Sequence, residues 1–279
     1  MRTEPRASPM STVYPRGARR TGIVGARDPV LTFGLLLLAG VGAGLTGSIA
    51  GLASLVSYPA LLASGLSPVV ANVTNTVALV FNSVGSVSGS RRDLVGQGPR
   101  LRRLVPVGVA GGAVGGVLVL VSSPEAFAKV VPVLIGLSSL GVLIQRRPGP
   151  AAVPHDAVAP DPRWLAPVVF LIGVYGGYFG AAAGVLLLAV ALLGTGEPLP
   201  RSNALKNVVL GAANAVAAVA FAVFGPVSWT TVVPLAVGCL VGGRIGPAVV
   251  RRAPAGLLRS VIALAGVGLA VSLALDAYR

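Results

Sequence analysis

The chain has 279 residues, of which 54% are hydrophobic and 11% charged, with a mean hydropathy of +0.85 and a net charge of +14. Because soluble domains carry about 25% charged residues, this composition excludes a soluble domain, and the continuous apolar runs favour membrane helices over a β-barrel of alternating strands. The arginines cluster at the ends of apolar segments without a nucleic-acid recognition pattern, so they indicate cytoplasmic anchors near lipid headgroups and no nucleic-acid partner.

The chain begins with a basic segment, 1–28, rich in Arg, Pro, Ser and Thr. This composition predicts a disordered cytoplasmic tail, and its polar part is too long for a signal peptide. Eight apolar segments follow, each long enough to cross about 30 Å of hydrocarbon. They are predicted at 31–63, 68–89, 104–122, 126–145, 164–194, 202–224, 229–249 and 256–275.

A polar, proline-rich linker, 146–163, separates these segments into two groups of four. The sequence "GVGAGLTGSIAG" (40–51) shares six of twelve residues with "GVYGGYFGAAAG" (173–184), and "ANVTNT" (71–76) corresponds to "SNALKN" (202–207). We therefore predict an all-α polytopic membrane protein of two four-segment repeats, at 29–145 and 164–279. Internal repeats of this kind are typical of secondary transporters.

The first segment of each repeat is unusually long and rich in glycine. Residues 31–63 number 33, about 50 Å as one straight helix, so the segment must tilt, break or fold back. Glycine lowers the cost of a break, and Gly-x-x-x-Gly spacing lets helices pack closely. We expect a break in each repeat, with hinge or packing roles for Gly44, Gly47, Gly51, Gly177, Gly180 and Gly184.

The remaining chemistry argues against an enzyme. All eight carboxylates fall in tails, loops or segment ends, the one histidine, His155, lies in the linker, and Cys239 is the one cysteine. Buried acid–base pairs and metal-ligand clusters are therefore missing from the pattern, and we expect no enzyme activity, no metal and no cofactor.

Polar residues within the apolar segments are the candidate binding site. Intramembrane polar groups are functional candidates, although amides also pair across helices and a lysine near a segment end can reach the interface. Helix starts favour anions, so we expect these residues to bind an anionic substrate between the halves, near the starts of segments 68–89 and 202–224. The predicted substrate-binding residues are Asn72, Thr74, Asn75, Asn203, Lys206 and Asn207.

The stretch 44–79, "GLTGSIAGLASLVSYPALLASGLSPVVANVTNTVAL", resembles the first-half signature of the sulfite exporter TauE/SafE family of membrane transporters. The matching positions are Pro59, Gly65, Pro68, Ala71, Asn72, Thr74 and Asn75. The second half echoes them at Gly177, Gly180, Gly184 and Asn203, but "SIAG" and "AAAG" stand where many members have a Gly-Gly-Gly run. The resemblance implies a multi-pass cell-membrane transporter of a small anion such as sulfite or an organosulfonate. An anion channel and a membrane scaffold remain alternatives, and the coupling ion, direction and oligomeric state stay open.

Charge also suggests a topology. If 31–63 makes one net crossing, each half crosses four times and the repeats are parallel. The N-terminal tail, the five arginines between Arg91 and Arg103, and the linker would then share the cytoplasmic side as solvated anchors.

Overall fold

The computed structural model describes residues 29–144 and 161–250, together with the helical positions 271 and 275. The helices of this part are α1 (Pro29–Ala50), α2 (Ala53–Ala63), α3 (Pro68–Gly89), α4 (Gly98–Val121), α5 (Pro124–Ile144), α6 (Leu165–Tyr178), α7 (Ala183–Thr195), α8 (Leu199–Phe224) and α9 (Trp229–Val250). Proline stands in the first turn of α3, α4 and α8, where its missing N–H costs no helical hydrogen bond.

The first long apolar segment folds into a helical hairpin. It breaks between α1 and α2 at Gly51, whose φ of +75° suits glycine. α2 then returns along α1, because a Cβ on Gly47 would meet Ala53 and a Cβ on Gly42 would contact Val56 farther back. The interpretation of 31–63 as one net crossing is therefore wrong.

The second long apolar segment, 164–194, has the same shape. It breaks after Tyr178, and the chain turns through Gly180 at φ +72° and Ala182 at φ +59°. α7 runs back along α6, since Gly194 at its far end packs against the side chains of Trp164 and Leu165. The expected breaks are present, and each turns the chain back instead of continuing the crossing.

Close glycine contacts fix the directions of the longer helices. α1 runs parallel to α9, with Gly40 against Gly238 and Gly44 against Gly242. α3 also runs parallel to α9, whereas α4 runs parallel to both α6 and α8. α3 and α8 are antiparallel, because Arg201 at the start of α8 donates to the Val95 carbonyl beyond the end of α3.

The bundle consequently has two different ends. The arginine end carries residues 90–97, 161–164 and 196–198. The opposite end carries Pro29 and the connections 64–67, 122–123 and 225–228. The expectation that the start of the first segment shares a side with Arg91–Arg103 is wrong, and so is the expectation of parallel repeats, because the hairpins change the number of crossings. The tail itself and linker residues 146–160 lie outside the described residues.

Length and composition allow four of the described helices to cross a membrane: α1, α4, α8 and α9 as far as Ala248. α2, α6 and α7 are apolar but shorter. α3 has 22 residues, yet it buries several polar side chains inside the bundle, which lowers its hydropathy. The predicted segment 68–89 coincides with α3, whereas 256–275 lies almost wholly outside the described residues.

Candidate functional site

A small polar cavity lies between α3 and α8, where the two hairpins meet. The space that the centre of a water molecule can occupy is about 40 Å³, whereas one water needs about 10–15 Å³. A ligand of a few heavy atoms therefore fits. The lining residues of this central cavity are Gly47, Gly51, Ala53, Ser54, Thr76, Leu79, Asn82, Ser83, Gly176, Phe179, Gly180, Lys206, Asn207, Leu210 and Asn214.

Both halves contribute corresponding positions to the cavity. A shift of 131 residues, the spacing between Asn72 and Asn203, relates several lining residues of α3 to lining residues of α8. The pairs are Thr76 with Asn207, Leu79 with Leu210, and Ser83 with Asn214. The cavity thus lies where antiparallel α3 and α8 face each other.

Lys206 is the charged residue of the cavity. Its side chain is fully buried, at 1% exposure, and Nζ donates to the Gly47 carbonyl at 3.0 Å. Burial at this depth excludes the interpretation that Lys206 reaches the membrane interface. An ammonium has three donors and a buried charge is costly without a partner, so Lys206 is suited to an anion.

Neutral hydrogen-bond donors surround the ammonium. Asn207 is 6% exposed, and its Nδ2 has no hydrogen-bond partner. The Ser54 hydroxyl oxygen accepts a bond from Asn75 Nδ2 at 3.2 Å, which leaves its O–H to donate elsewhere. Ala53 and Ser54 begin α2, and the first amides of a helix have no partner within that helix. These groups can together bind the oxygens of an anion.

Asn75 stands one layer behind the cavity. Its amide bonds to Ser54 and also contacts the Ser57 hydroxyl, which lies 2.5 Å from Asn75 Oδ1. Asn75 corresponds to Lys206 under the same shift of 131 residues, so the two halves differ here by one full charge. Asn75 positions the start of α2, whereas Lys206 faces the cavity.

Asn72 and Asn203 hold the tips of the hairpins. Asn72 Nδ2 donates to the Tyr178 carbonyl at the end of α6, and Asn203 Nδ2 donates to the Ser48 carbonyl near the end of α1, both at 2.9 Å. Each asparagine thereby attaches one half's hairpin to the other half. Neither lines the central cavity, although sequence reasoning grouped both with the binding residues.

Thr74 also lies outside the cavity. Its hydroxyl accepts a hydrogen bond from the Ser228 amide at 3.0 Å, which ties the start of α3 to the connection between α8 and α9. The predicted set thus divides, with Lys206 and Asn207 at the cavity and the others in supporting positions.

The predicted glycines occupy two kinds of place. Gly51 and Gly184 touch where the hairpins meet, since a Cβ on Gly184 would lie 2.5 Å from the Gly51 Cα. Gly47, Gly51 and Gly180 also line the cavity. Gly44 packs against α9 and Gly177 packs against α4.

Sequence reasoning missed an ion-pair network at the arginine end. Arg100 donates to Asp161 at 2.8 Å and to Glu197 at 3.1 Å, while Arg201 donates to Glu197 at 2.6 Å. The Arg100 side chain is 8% exposed, so it is no solvated anchor. Its partners are remote in sequence, and no local motif indicates them.

The network sets the charge state of Glu197. Partial burial alone raises the pKa of this carboxyl, but the hydrogen bonds and charges of Arg201 and Arg100 outweigh burial and hold the pKa below its ordinary value. Glu197 is therefore ionised near neutral pH, and it connects α4 to the start of α8.

Helical hairpins around a polar cavity, in a bundle with helices apolar enough to cross a membrane, define a multi-pass membrane protein of the transporter class. The chain belongs to the sulfite exporter TauE/SafE family, whose model matches residues 36–273. It is 25% identical over 256 residues to the probable membrane transporter protein YfcA of Escherichia coli K12, covering 89% of this chain and 91% of that protein. It is also 25% identical over 246 residues to the probable membrane transporter protein ORF9 of a Sinorhizobium species, covering 86% and 92%. No solved structure matches the chain.

Proposed function

We propose that the protein is a secondary transporter that carries a small anion across the cell membrane through the central cavity. The observation that carries the proposal is a buried lysine, Lys206, beside the unpaired amide donor of Asn207. Hydrogen bonds that involve a charged group are stronger than neutral ones, and a fixed cation favours anions over neutral molecules. The family's description makes sulfite the first substrate to test, and the sequence resemblance described above adds the organosulfonates.

We also infer that the two halves are inverted repeats that provide alternating access. Hairpins from opposite ends touching beside a central site are the arrangement expected for such repeats. Movement of one hairpin against the other half would open the cavity to one end at a time. The ion pairs of Arg100 with Asp161 and Glu197 would hold the arginine end closed.

Anion flux into liposomes that contain the purified protein tests the proposal. Wild-type protein is expected to give saturable uptake and counterflow of labelled sulfite or methanesulfonate. Lys206→Gln removes a charged hydrogen bond worth about 1.5–3 kcal/mol, so anion affinity should fall by about 10- to 100-fold. Lys129→Gln is the matched control and should behave as wild type, because Lys129, the chain's other lysine, lies on the exposed surface of α5.

The same measurement separates the alternatives. A channel would give flux without counterflow, and a scaffold would give no flux. Equal anion affinity in folded wild type and Lys206→Gln would contradict the role assigned to the lysine.

A further inference from the structure

The central cavity holds a single formal charge. Of the described residues that line it, only Lys206 is charged, and the remaining polar side chains are asparagine, serine and threonine. No carboxylate is among these lining residues, so the ammonium has no counterion built into the wall. A bound anion must supply that counterion.

The neighbouring arginines do not add to this charge. Arg103 also contacts Asp161, at 3.8 Å, but its side chain is 47% exposed, where solvent screens its charge. Arg100 and Arg201, at the arginine end, are paired with Asp161 and Glu197, so these four side chains are neutral in sum. None of the four lines the cavity.

Helix ends supply only opposing partial charges at the cavity. The negative ends of α1 and α6 reach it through Gly51 and Phe179, and the positive end of α2 reaches it through Ala53. The field in the cavity is therefore set mainly by one ammonium.

We propose that the substrate is a small monoanion and that the cavity rejects dianions; this inference rests on the proposed function. A monoanion beside Lys206 forms a neutral pair, and Asn207 can donate to its oxygens. A dianion would retain one uncompensated charge in a cavity too small to hold its hydration shell. Leu79, Phe179 and Leu210 line the same space, so a short apolar group on the anion is accommodated. The assigned class is a monoanion such as hydrogensulfite (the singly protonated form of sulfite), a short alkylsulfonate or a carboxylate.

We call this preference for monoanions over dianions the charge rule. Methanesulfonate and sulfate test it, because both are tetrahedral about sulfur and differ by a methyl group in place of a charged oxygen. Each is supplied as competitor to labelled methanesulfonate in counterflow with wild-type protein. We expect sulfate to compete at least about tenfold more weakly, as is common for an uncompensated buried charge. Equal competition would overturn the charge rule while leaving anion transport established. Absence of counterflow for both labelled methanesulfonate and labelled sulfite would overturn the proposed function and this inference with it.

A second cation in the cavity provides a gain-of-function test. Asn214 lines the cavity on α8 and is 9% exposed, and Ser83 lines it at the corresponding position of α3. Asn214→Lys should lower the preference for methanesulfonate over sulfate by about tenfold, whereas Asn214→Gln, of similar size and no charge, should keep the wild-type preference. Ser83→Lys repeats the test from the other half. Folded Lys variants with an unchanged preference would count against the charge rule, and the wild-type competition decides it if neither variant folds.

Discussion

Gly184 illustrates how one missing side chain sets the distance between the hairpins. A Cβ at this position would lie 2.5 Å from the Gly51 Cα, so Gly184→Ala must push the two tips apart. We expect a loss of about 1–3 kcal/mol of stability, as for other overpacked sites. Gly34→Ala on α1 is the control, because nothing lies within 4 Å of the added Cβ and alanine favours a helix by up to about 1 kcal/mol. Thermal unfolding of both purified variants checks this, and equal melting temperatures would contradict the tip contact.

Asn72 and Asn203 should affect stability more than binding. Each donates to a carbonyl at the end of the other half's broken helix and lies outside the cavity lining. Removing the amide leaves a buried carbonyl unpaired, so Asn72→Ala and Asn203→Ala should each cost about 1–3 kcal/mol of stability.

Asn207→Ala is the contrasting variant, since its Nδ2 has no partner to lose in the protein. It should weaken anion binding with little change in melting temperature. Calorimetric affinity and melting temperature, measured on all three variants, separate the roles. A tenfold weaker anion affinity for Asn203→Ala at an unchanged melting temperature would show that Asn203 takes part in binding the anion.

Sequence patterns could identify which residue types belong to the site, but they could not assign their partners. Lys206 was predictable as a candidate because a lysine in an apolar segment is rare and costly. Asn203 belongs to the same short motif, yet it bonds to Ser48, 155 residues away. Arg100 looked like one of several loop arginines because Glu197 is 97 residues distant. Only the packing of the two halves decides these contacts.

At the scale of helices, the sequence predicts where apolar segments begin and end but not the direction in which each helix runs. The predicted segment 68–89 matches α3, and 202–224 differs from α8 by three residues at its start. The apolar run 164–194 has the same hydropathy whether it crosses a membrane or returns. Its return is decided by packing of Gly194 against Trp164 and Leu165, which composition does not record.

The connection between α7 and α8 should make stability depend on pH. Arg201 and Arg100 hold the pKa of Glu197 below its ordinary value of 4.5 in the folded protein. A carboxyl whose pKa is lower folded than unfolded stabilises the fold above the unfolded value, and this stabilisation is lost as pH falls through the folded value.

We therefore expect the melting temperature of wild type to fall as pH drops below about 4.5. The melting temperature of Glu197→Gln should fall less over that range, because this variant already lacks the stabilisation that the ionised carboxylate provides. Glu125→Gln, at the exposed start of α5, is the matched control and should follow the wild-type curve. Parallel curves of melting temperature against pH for wild type and Glu197→Gln would show that the ion pairs of Glu197 do not contribute to stability in acid.

For the whole molecule, the distribution of arginine predicts the orientation in the membrane. Among the described connections, 64–67, 122–123 and 225–228 at the opposite end carry no Lys or Arg, whereas the arginine end carries Arg91, Arg92 and Arg163. The positive-inside rule makes the arginine end cytoplasmic. Pro29 is then predicted to lie on the outer side, because the α1–α2 hairpin makes no net crossing.

Single cysteines in a Cys239→Ala background test this orientation in intact cells with a maleimide that cannot cross the membrane. Ser67→Cys and Ser123→Cys, both exposed at the opposite end, should react from outside. Arg92→Cys and Leu199→Cys, both exposed at the arginine end, should react only after the cells are opened. A fifth single cysteine, Pro29→Cys at the exposed start of α1, tests the hairpin. A single net crossing by 31–63 would leave α3 and its connections in the order seen here but place Pro29 on the same side as Arg92. Labelling of a cysteine at position 29 together with position 67 would support the hairpin, and labelling of 29 only with 92 would contradict it.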